Sequence, residues 1–372
     1  MANILIAGGG FGGVVAAERL SRTLGAEHQV TLVSRGRRFT FYPALVRLAF
    51  GHAAPEEITF DLREAMAERR VRFVEATIAH LDPHARRAVL TGGDISGEIK
   101  YDFLVYALGR RLATERVPGF FEHAHHLLGV GAAQKFGAAA GEFRGGHAVI
   151  GSCPGARLEV PVYETAFALA RQLEGRGEQA RITVISPDRP GDHPGGDELY
   201  RAVRPALERY GVRFLPAFPI AEVEAEAVRA SDGREVEYDL LMLVPPFEGA
   251  SALAGAGLTD EEGFVRVNDT MRVVGAERAY AAGDAAYFSG PKMGYMAVRQ
   301  AEVAAENLLA EIEGREPSSH YEHDMRLVVE AGAESVYLHA SLWGDGETDV
   351  SRGPFWGWAK RVHEKYWRAR HG

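Results

Sequence analysis

Cysteine is nearly absent: Cys153 is the only one in 372 residues. This excludes an intrachain disulfide and any mechanism that needs two thiols in one chain. No apolar run approaches the ~20 residues of a membrane-spanning helix. Basic side chains are outnumbered, 42 against 51 acidic ones, leaving a formal charge of −9. That balance excludes a general nucleic-acid binder. The start, Met-Ala-Asn-Ile-Leu-Ile-Ala-Gly, has no cationic stretch and no cleavage site. No signal peptide is therefore expected, and a cytoplasmic location is. No metal is expected either. What the chain does have is glycine, 43 residues of it, suited to many tight turns against a ligand. Its hydrophobic and charged content, 46% and 25%, is that of an ordinary globular protein. A length of 372 residues predicts two domains, with room for a small appendage.

Residues 3–7 read as a buried strand, followed by Gly8-Gly9-Gly10-Phe11-Gly12-Gly13 and an amphipathic helix to about Leu24. A second apolar strand spans 29–33. This βαβ opening predicts a parallel sheet with right-handed crossovers. Residues 71–101 read as an antiparallel meander, with turns at Asp82-Pro83 and Gly92-Gly93-Asp94, and 101–108 as another buried strand. The same grammar then repeats: strand 147–151, helix 161–174, strand 181–186, helix 198–210, short strand 212–215 and a meander over 221–244. A strand at 279–282, a long helix at about 295–312, and strands near 325–329 and 335–342 complete the chain. The fold class is α/β, with two doubly wound, Rossmann-like units, one inserted in the other. The expected division is 1–112 with 245–325, then 113–244, then a C-terminal segment 326–372.

The elbow Gly8-x-Gly10-x-x-Gly13 lies between a strand and a helix, where such a motif carries weight. Gly8 permits the tight turn, Gly10 lets a pyrophosphate approach the backbone, and Gly13 lets helix and strand pack closely. The helix N-terminus attracts the phosphate charge. The acidic residue expected at the end of the second strand is missing. Ser34 and Arg35 stand there instead, Ser34 for a ribose hydroxyl and Arg35 facing the adenosine phosphate. FAD fits this first site better than NAD. A second strand–glycine junction, Tyr106-Ala107-Leu108-Gly109, and a late aspartate in Gly283-Asp284 follow in the expected order. Asp284 is suited to accept hydrogen bonds from a ribityl hydroxyl; its bland role is to cap the helix that follows.

With these residues in view, the chain resembles the two-dinucleotide-domain flavoproteins. It looks in particular like the sulfide:quinone oxidoreductases and their relatives, the flavocytochrome c sulfide dehydrogenases and type II NADH dehydrogenases. The resemblance rests on the elbow, on Phe39-Thr40-Phe41-Tyr42-Pro43-Ala44-Leu45, Tyr101-Asp102-Phe103-Leu104-Val105, Leu243–Phe247, Gly283-Asp284 and Pro291-Lys292-Met293-Gly294, and on an aromatic-basic tail. It implies FAD as cofactor. The cofactor-binding set would be Gly8, Gly10, Phe11, Gly12, Gly13, Ser34, Arg35, Phe41, Pro43, Ile78, Ala107, Gly109, Gly283, Asp284, Lys292, Met293 and Gly294. Phe41 and Pro43 would lie against the isoalloxazine. Lys292 and the amides of Met293 and Gly294 would stabilise negative charge on the reduced ring, as a cation and a positive helix end favour an anion. Glu164 matches a glutamate near the flavin's reactive face and would relay a proton; an exposed helix residue is the competing reading.

The chain departs from that pattern at the thiols. The family's cysteine positions fall at Leu158, around Leu327-Val328 and near Leu128, all apolar here. A paired-thiol route for sulfide is therefore chemically closed. Cys153 is kept as a candidate nucleophile against the commoner role of a small packing residue. The second glycine loop, Gly151-Ser152-Cys153-Pro154-Gly155-Ala156-Arg157, loses an amide at Pro154 and gains bulk, which disfavours NADH.

The tail, 353–372, holds Trp356, Trp358 and Trp367, five cations and the single anion Glu364. Its net charge is +4 against −13 for the rest. Aromatic rings with cations are the form of an interfacial membrane anchor. The leading expectation is an FAD-dependent oxidoreductase that passes electrons from an unidentified small reductant to a membrane quinone. It would sit peripherally on the inner face of the membrane, with a homodimer left open. The alternatives are a type II NADH:quinone oxidoreductase and a flavin-binding sensor or partner without turnover.

Overall fold

A computed structural model describes residues 1–192, 194–343 and 348–372. The chain opens with β1 (Asn3–Ala7), α1 (Phe11–Thr23) and β2 (Gln29–Ser34). Four of the five β1 residues are buried, as befits a central strand. Next come β3 (Arg72–Glu75) and β4 (Phe103–Tyr106). The second unit contributes β5 (Gly146–Ser152), α2 (Val160–Arg176), β6 (Ala180–Ile185), α3 (Gly196–Arg209), β7 (Arg213–Leu215) and β8 (Leu240–Val244). The chain then supplies β9 (Ala279–Ala281) and α4 (Gly294–Ile312). It closes with β10 (Asp324–Ala331), β11 (Glu334–Ser341), β12 (Thr348–Gly353) and α5 (Pro354–His371).

Two parallel sheets organise the molecule. The first runs β9-β4-β1-β2-β3 and the second β7-β6-β5-β8. In each, the chain order reverses beside the first-formed strand, between β1 and β4 and between β5 and β8. Such switch points open a crevice at the carboxyl ends of the strands. Each unit also carries an antiparallel meander, Thr77–Asp82 with Arg87–Thr91 and Gly97–Lys100, and Ile220–Val223 with Ala227–Ala230 and Glu235–Glu237.

Two strand readings are corrected. Residues 72–75 belong to no meander but pair in parallel with β2, and 240–244 form the fully buried edge of the second parallel sheet. Both are short apolar runs joined to a true meander, so pattern alone cannot tell which sheet they enter. What decides is tertiary: helix Leu62–Glu68 carries the chain back to the start of β3 and makes the connection a crossover.

Helix α4 packs along α1, and Arg19 of α1 holds Glu302 and Glu306 of α4 at 2.5 and 2.9 Å. The C-terminal sheet β10-β11-β12 lies against α2 and α3, and α5 crosses it back to the first unit. One face of α5 is buried there: Trp367 packs on Phe11, Phe39 and Phe41 at centroid distances of 4.9, 6.1 and 6.3 Å. Among the described residues no helix is long and apolar enough to cross a membrane.

Candidate functional site

Four backbone segments meet at the first crevice: the elbow after β1, the turn after β2, the Ala107–Gly109 turn after β4, and Gly283 after β9. The elbow's glycines divide into two kinds. Gly8 has φ +114°, and a Cβ there would lie 2.1 Å from the Ala107 carbonyl oxygen. A Cβ on Gly13 would lie 1.8 Å from the Gly8 oxygen. These two exist for packing. A Cβ on Gly10 would meet nothing within 4 Å, so Gly10 faces open space at the start of α1. The first turn of α1 has no acidic residue and no side-chain cap. A helix start whose amides lack intrahelical partners, with an open approach past Gly10, fits a pyrophosphate.

At the end of β2, Ser34 stands beside Gly9 and Arg35 is exposed. Ile78 is buried at the start of its strand. Phe41 is buried, whereas Tyr42 and Pro43 are exposed. The Phe11 ring lies 5.0 Å from Phe39 and 5.5 Å from Phe41, and touches Gly294, where a Cβ would come within 3.3 Å of the ring. Met293 is the N-cap of α4.

Asp284 is held by Arg110 in an ion pair. Sequence reasoning missed Arg110, although it directly follows Gly109, whose left-handed turn (φ +70°) aims the next side chain into the crevice. Its guanidinium lies 4.1 Å from the Phe247 ring and 5.8 Å from that of Tyr42, and its Nε has no partner among the described residues. Burial pushes its pKa down to about 10.

Lys292 is not the solvated surface lysine of the competing reading: it is 6% exposed. Its ammonium donates to the Ala286 carbonyl at 2.5 Å and lies 4.3 Å from the centre of the Phe264 ring. Arg157, whose carbonyl accepts from the Lys292 amide at 2.7 Å, lies 5.2 Å from the same ring. Desolvation, then repulsion by Arg157, pushes the Lys292 pKa down to about 7. An amine whose charge is this weakly held responds strongly to any nearby anion.

Glu164 and Cys153 lie elsewhere. The Glu164 carboxylate is buried at the joint between α2 and the tail. It accepts from Lys360 at 2.5 Å and from the Glu330 amide at 2.8 Å, and burial pushes its pKa up. It is thus neither an exposed helix residue nor part of the crevice beside Gly10. Cys153 is fully buried among Val117, Phe120, Val149 and Leu243, and burial pushes its thiol up, away from the reactive thiolate. The nucleophile reading is corrected accordingly: the side chain is a packing residue of the second unit's apolar cluster. A disulfide reagent such as dithionitrobenzoate is expected to leave Cys153 unmodified in the native protein and to titrate one thiol after denaturation. Leu158 and Leu128 pack against the core, and Leu327 is 9% exposed.

Two nucleotide-fold sheets in one chain, with a phosphate-fitted elbow in the first and a second loop that lacks an amide at Pro154, define an FAD/NAD-type oxidoreductase. The chain belongs to the pyridine nucleotide-disulphide oxidoreductase family, whose model matches residues 2–305. The family is one of FAD-binding flavoproteins, and the elbow, the Ala107–Gly109 turn and the Gly283 turn fit that cofactor. The chain is 27% identical to the sulfide-quinone reductase of Aquifex aeolicus over 270 residues, 68% of this chain and 61% of that protein. It is 26% identical to an alternative NAD(P)H-ubiquinone oxidoreductase of Arabidopsis thaliana over 363 residues, 84% of this chain and 68% of that one. The match thus spans less than two thirds of the Aquifex protein's length. The crystal structure of the Aquifex sulfide:quinone oxidoreductase superposes with a TM-score of 0.90 at 23% identity, covering 100% of this chain and 92% of that one.

Proposed function

We propose that this chain is an FAD-dependent oxidoreductase that passes electrons from a small reductant to a membrane quinone, without the paired-thiol route. The observation that carries this reading is the convergence of Gly10, the Ala107–Gly109 turn and the Gly283 turn on one crevice, with Lys292 buried on the loop beside it. The flavin supplies reversible two-electron chemistry when bound. The α1 N-terminus would hold its pyrophosphate, and Arg110 and Asp284 the ribityl chain. Lys292, Met293 and Gly294 would favour negative charge at the ring edge. Glu164 with Lys360 would hold a proton at the joint between α2 and the tail, on the quinone side. Residues 1–112 with 245–325 would form the flavin unit. The sulfide-quinone and NAD(P)H-ubiquinone relatives both support a quinone acceptor.

The tail supports a membrane surface as the place of action. Phe355, Trp358, Val362 and Tyr366 are exposed along one stripe of α5, flanked by Arg361, Lys365 and Arg368. Rings at headgroup level and cations towards anionic lipid suit the inner leaflet. The purified protein should be yellow, bleach anaerobically with a donor and recover its colour with a water-soluble quinone analogue. Sulfide, NADH and NADPH are tried in parallel, and rapid bleaching by NADH would move the assignment to an NADH:quinone oxidoreductase. Phosphatidylglycerol vesicles should sediment the wild type, and Trp358→Ser with Phe355→Ser should weaken that binding at least tenfold with no loss of thermal stability. A colourless protein that takes up no added FAD sinks the reading.

A further inference from the structure

The loop after β5 reaches across to the residues that carry Lys292. Within it the Ala156 amide donates to the Cys153 carbonyl at 3.0 Å, with Pro154 and Gly155 (φ +79°) between them. Proline followed by a left-handed glycine is the inner pair of a type II turn. The Gly155 carbonyl accepts from the Phe247 amide at 3.2 Å, which anchors the turn. The next side chain but one, Arg157, then bonds both ends of the segment 288–292. Its guanidinium donates to the Phe288 carbonyl at 3.1 Å, and its own carbonyl accepts from the Lys292 amide at 2.7 Å. The same guanidinium donates to Glu262 at 2.5 Å. The Glu262 and Phe264 amides both donate to Asp260 Oδ1, at 3.0 and 2.8 Å. The Phe264 ring is fully buried, with Lys292 Nζ 4.3 Å and the Arg157 guanidinium 5.2 Å from its centre.

We propose that Arg157, paired with Glu262, is the positioning residue through which the second unit holds Lys292 in place and governs its charge. The proposal rests on the reading above only in what Lys292 then does for a flavin. The residues that set this loop apart from a phosphate cradle are the ones that make the contact. Pro154 lacks an amide for a phosphate but presets the turn, and Arg157 fills the approach with a cation aimed at the other unit. Arginine suits the place. Its planar fork donates to a carbonyl and a carboxylate at once while it lies near an aromatic ring, which a lysine ammonium does less well.

The control of charge follows from the same geometry. A guanidinium and an ammonium meet one ring, so Arg157 adds a like charge where burial already disfavours the ammonium. The groups that face Lys292 are Arg157, Arg110, Asp260, Glu262 and His323. Burial lowers the Lys292 pKa most, Arg157 next and Arg110 further, while Asp260 and Glu262 pull it up. Removing the Arg157 cation should therefore make Lys292 hold its proton more tightly. Removing the Glu262 anion should make it hold the proton less tightly. A loop that is merely loosened admits water in both variants, and would move Lys292 upward in both.

The test is a pH titration of the full-length holoenzyme labelled with ¹³C-lysine. The chain has five lysines, and Lys292→Arg identifies the Lys292 signal by its loss. In Arg157→Met the Lys292 acid constant is expected to fall at least about threefold, and in Glu262→Gln to rise by about as much. Arg157→Lys keeps a cation and should stay closer to wild type than Arg157→Met. An unmoved Lys292 in either of the first two variants, or shifts of the same sign in both, would overturn the proposal. So would a shift in Arg157→Lys as large as in Arg157→Met. If Arg157→Met does not fold, Glu262→Gln decides: a rise upholds the proposal, and no change or a fall overturns it. Potentiometric titration of the flavin reads the consequence. The pH at which its midpoint potential changes slope should move up in Arg157→Met and down in Glu262→Gln. If Lys292 shifts as expected while that pH stays put, the Arg157–Glu262 pair stands and the placing of the flavin beside Lys292 fails. If the wild type binds no FAD, the reading of the site fails, and the same lysine titration on the flavin-free chain decides the proposal by the same signs.

Discussion

Gly13→Ala is expected to yield a chain that neither folds its first unit nor holds flavin. A Cβ at this position would lie 1.8 Å from the Gly8 oxygen and 2.9 Å from its carbonyl carbon, both backbone atoms that cannot swing aside. Relief requires α1 to lift off β1, the central strand of the sheet. Steric failures of this kind belong to the rare class that costs more than about 4 kcal/mol, against a total stability of roughly 5–15 kcal/mol. Gly10→Ala separates this packing role from cofactor binding. Its methyl group meets nothing in the protein, so thermal stability should be nearly unchanged, but it intrudes on the path of the pyrophosphate, so flavin content should fall. Thermal melts with flavin absorbance on both variants check the contrast. Equal melting temperatures for Gly13→Ala and wild type would be incompatible with the elbow as described.

Lys360→Met is the second large expected effect. It removes the cation paired with Glu164 and leaves that buried carboxylate facing Glu330. Removing one partner of a buried pair costs about 3–5 kcal/mol at neutral pH. The pH dependence has a definite sign. Burial raises the Glu164 pKa above its unfolded value, and Lys360 opposes that rise. A carboxyl with a raised folded pKa favours the folded state most below its unfolded pKa and loses that contribution as pH rises through the folded one. Without Lys360 the folded pKa climbs further, so the penalty should be largest at neutral pH and above and should shrink on acidification. Glu164→Gln in the same chain should recover most of the loss at pH 7. Urea unfolding between pH 5 and pH 8 reads all three. A penalty that grows on acidification would contradict the buried pair.

The elbow was legible because its causes are local. Glycine sterics and a helix start operate within six residues, and the order of strands around them follows from crossover handedness. The Gly283 turn was legible for the same reason. Arg110 was not, because its setting is assembled from Asp284, Phe247 and Tyr42, which only the two sheets bring together. Glu164 was placed on the right helix but facing the wrong neighbour. Nothing near it in sequence announces Lys360, which arrives from the tail. The burial of Lys292 was equally hidden, since Phe264 and Arg157 come from distant loops. Cys153 was half legible: its isolation excluded paired-thiol chemistry, but only the folded packing showed that its thiol is sealed in the second unit's apolar cluster.

The seating of Trp367 on Phe11 makes the two ends of the chain one structural unit, as does the His371–Glu18 contact at 2.8 Å across 353 positions. A ribosome delivers α1 first and α5 last, at roughly 5–20 residues per second. For that interval the nascent first unit has its glycine turn but neither β9 nor the indole that covers Phe11, Phe39 and Phe41. Those aromatic faces stay open to chaperones until α5 has emerged, and a chain that stops before Trp367 lacks the indole that covers them.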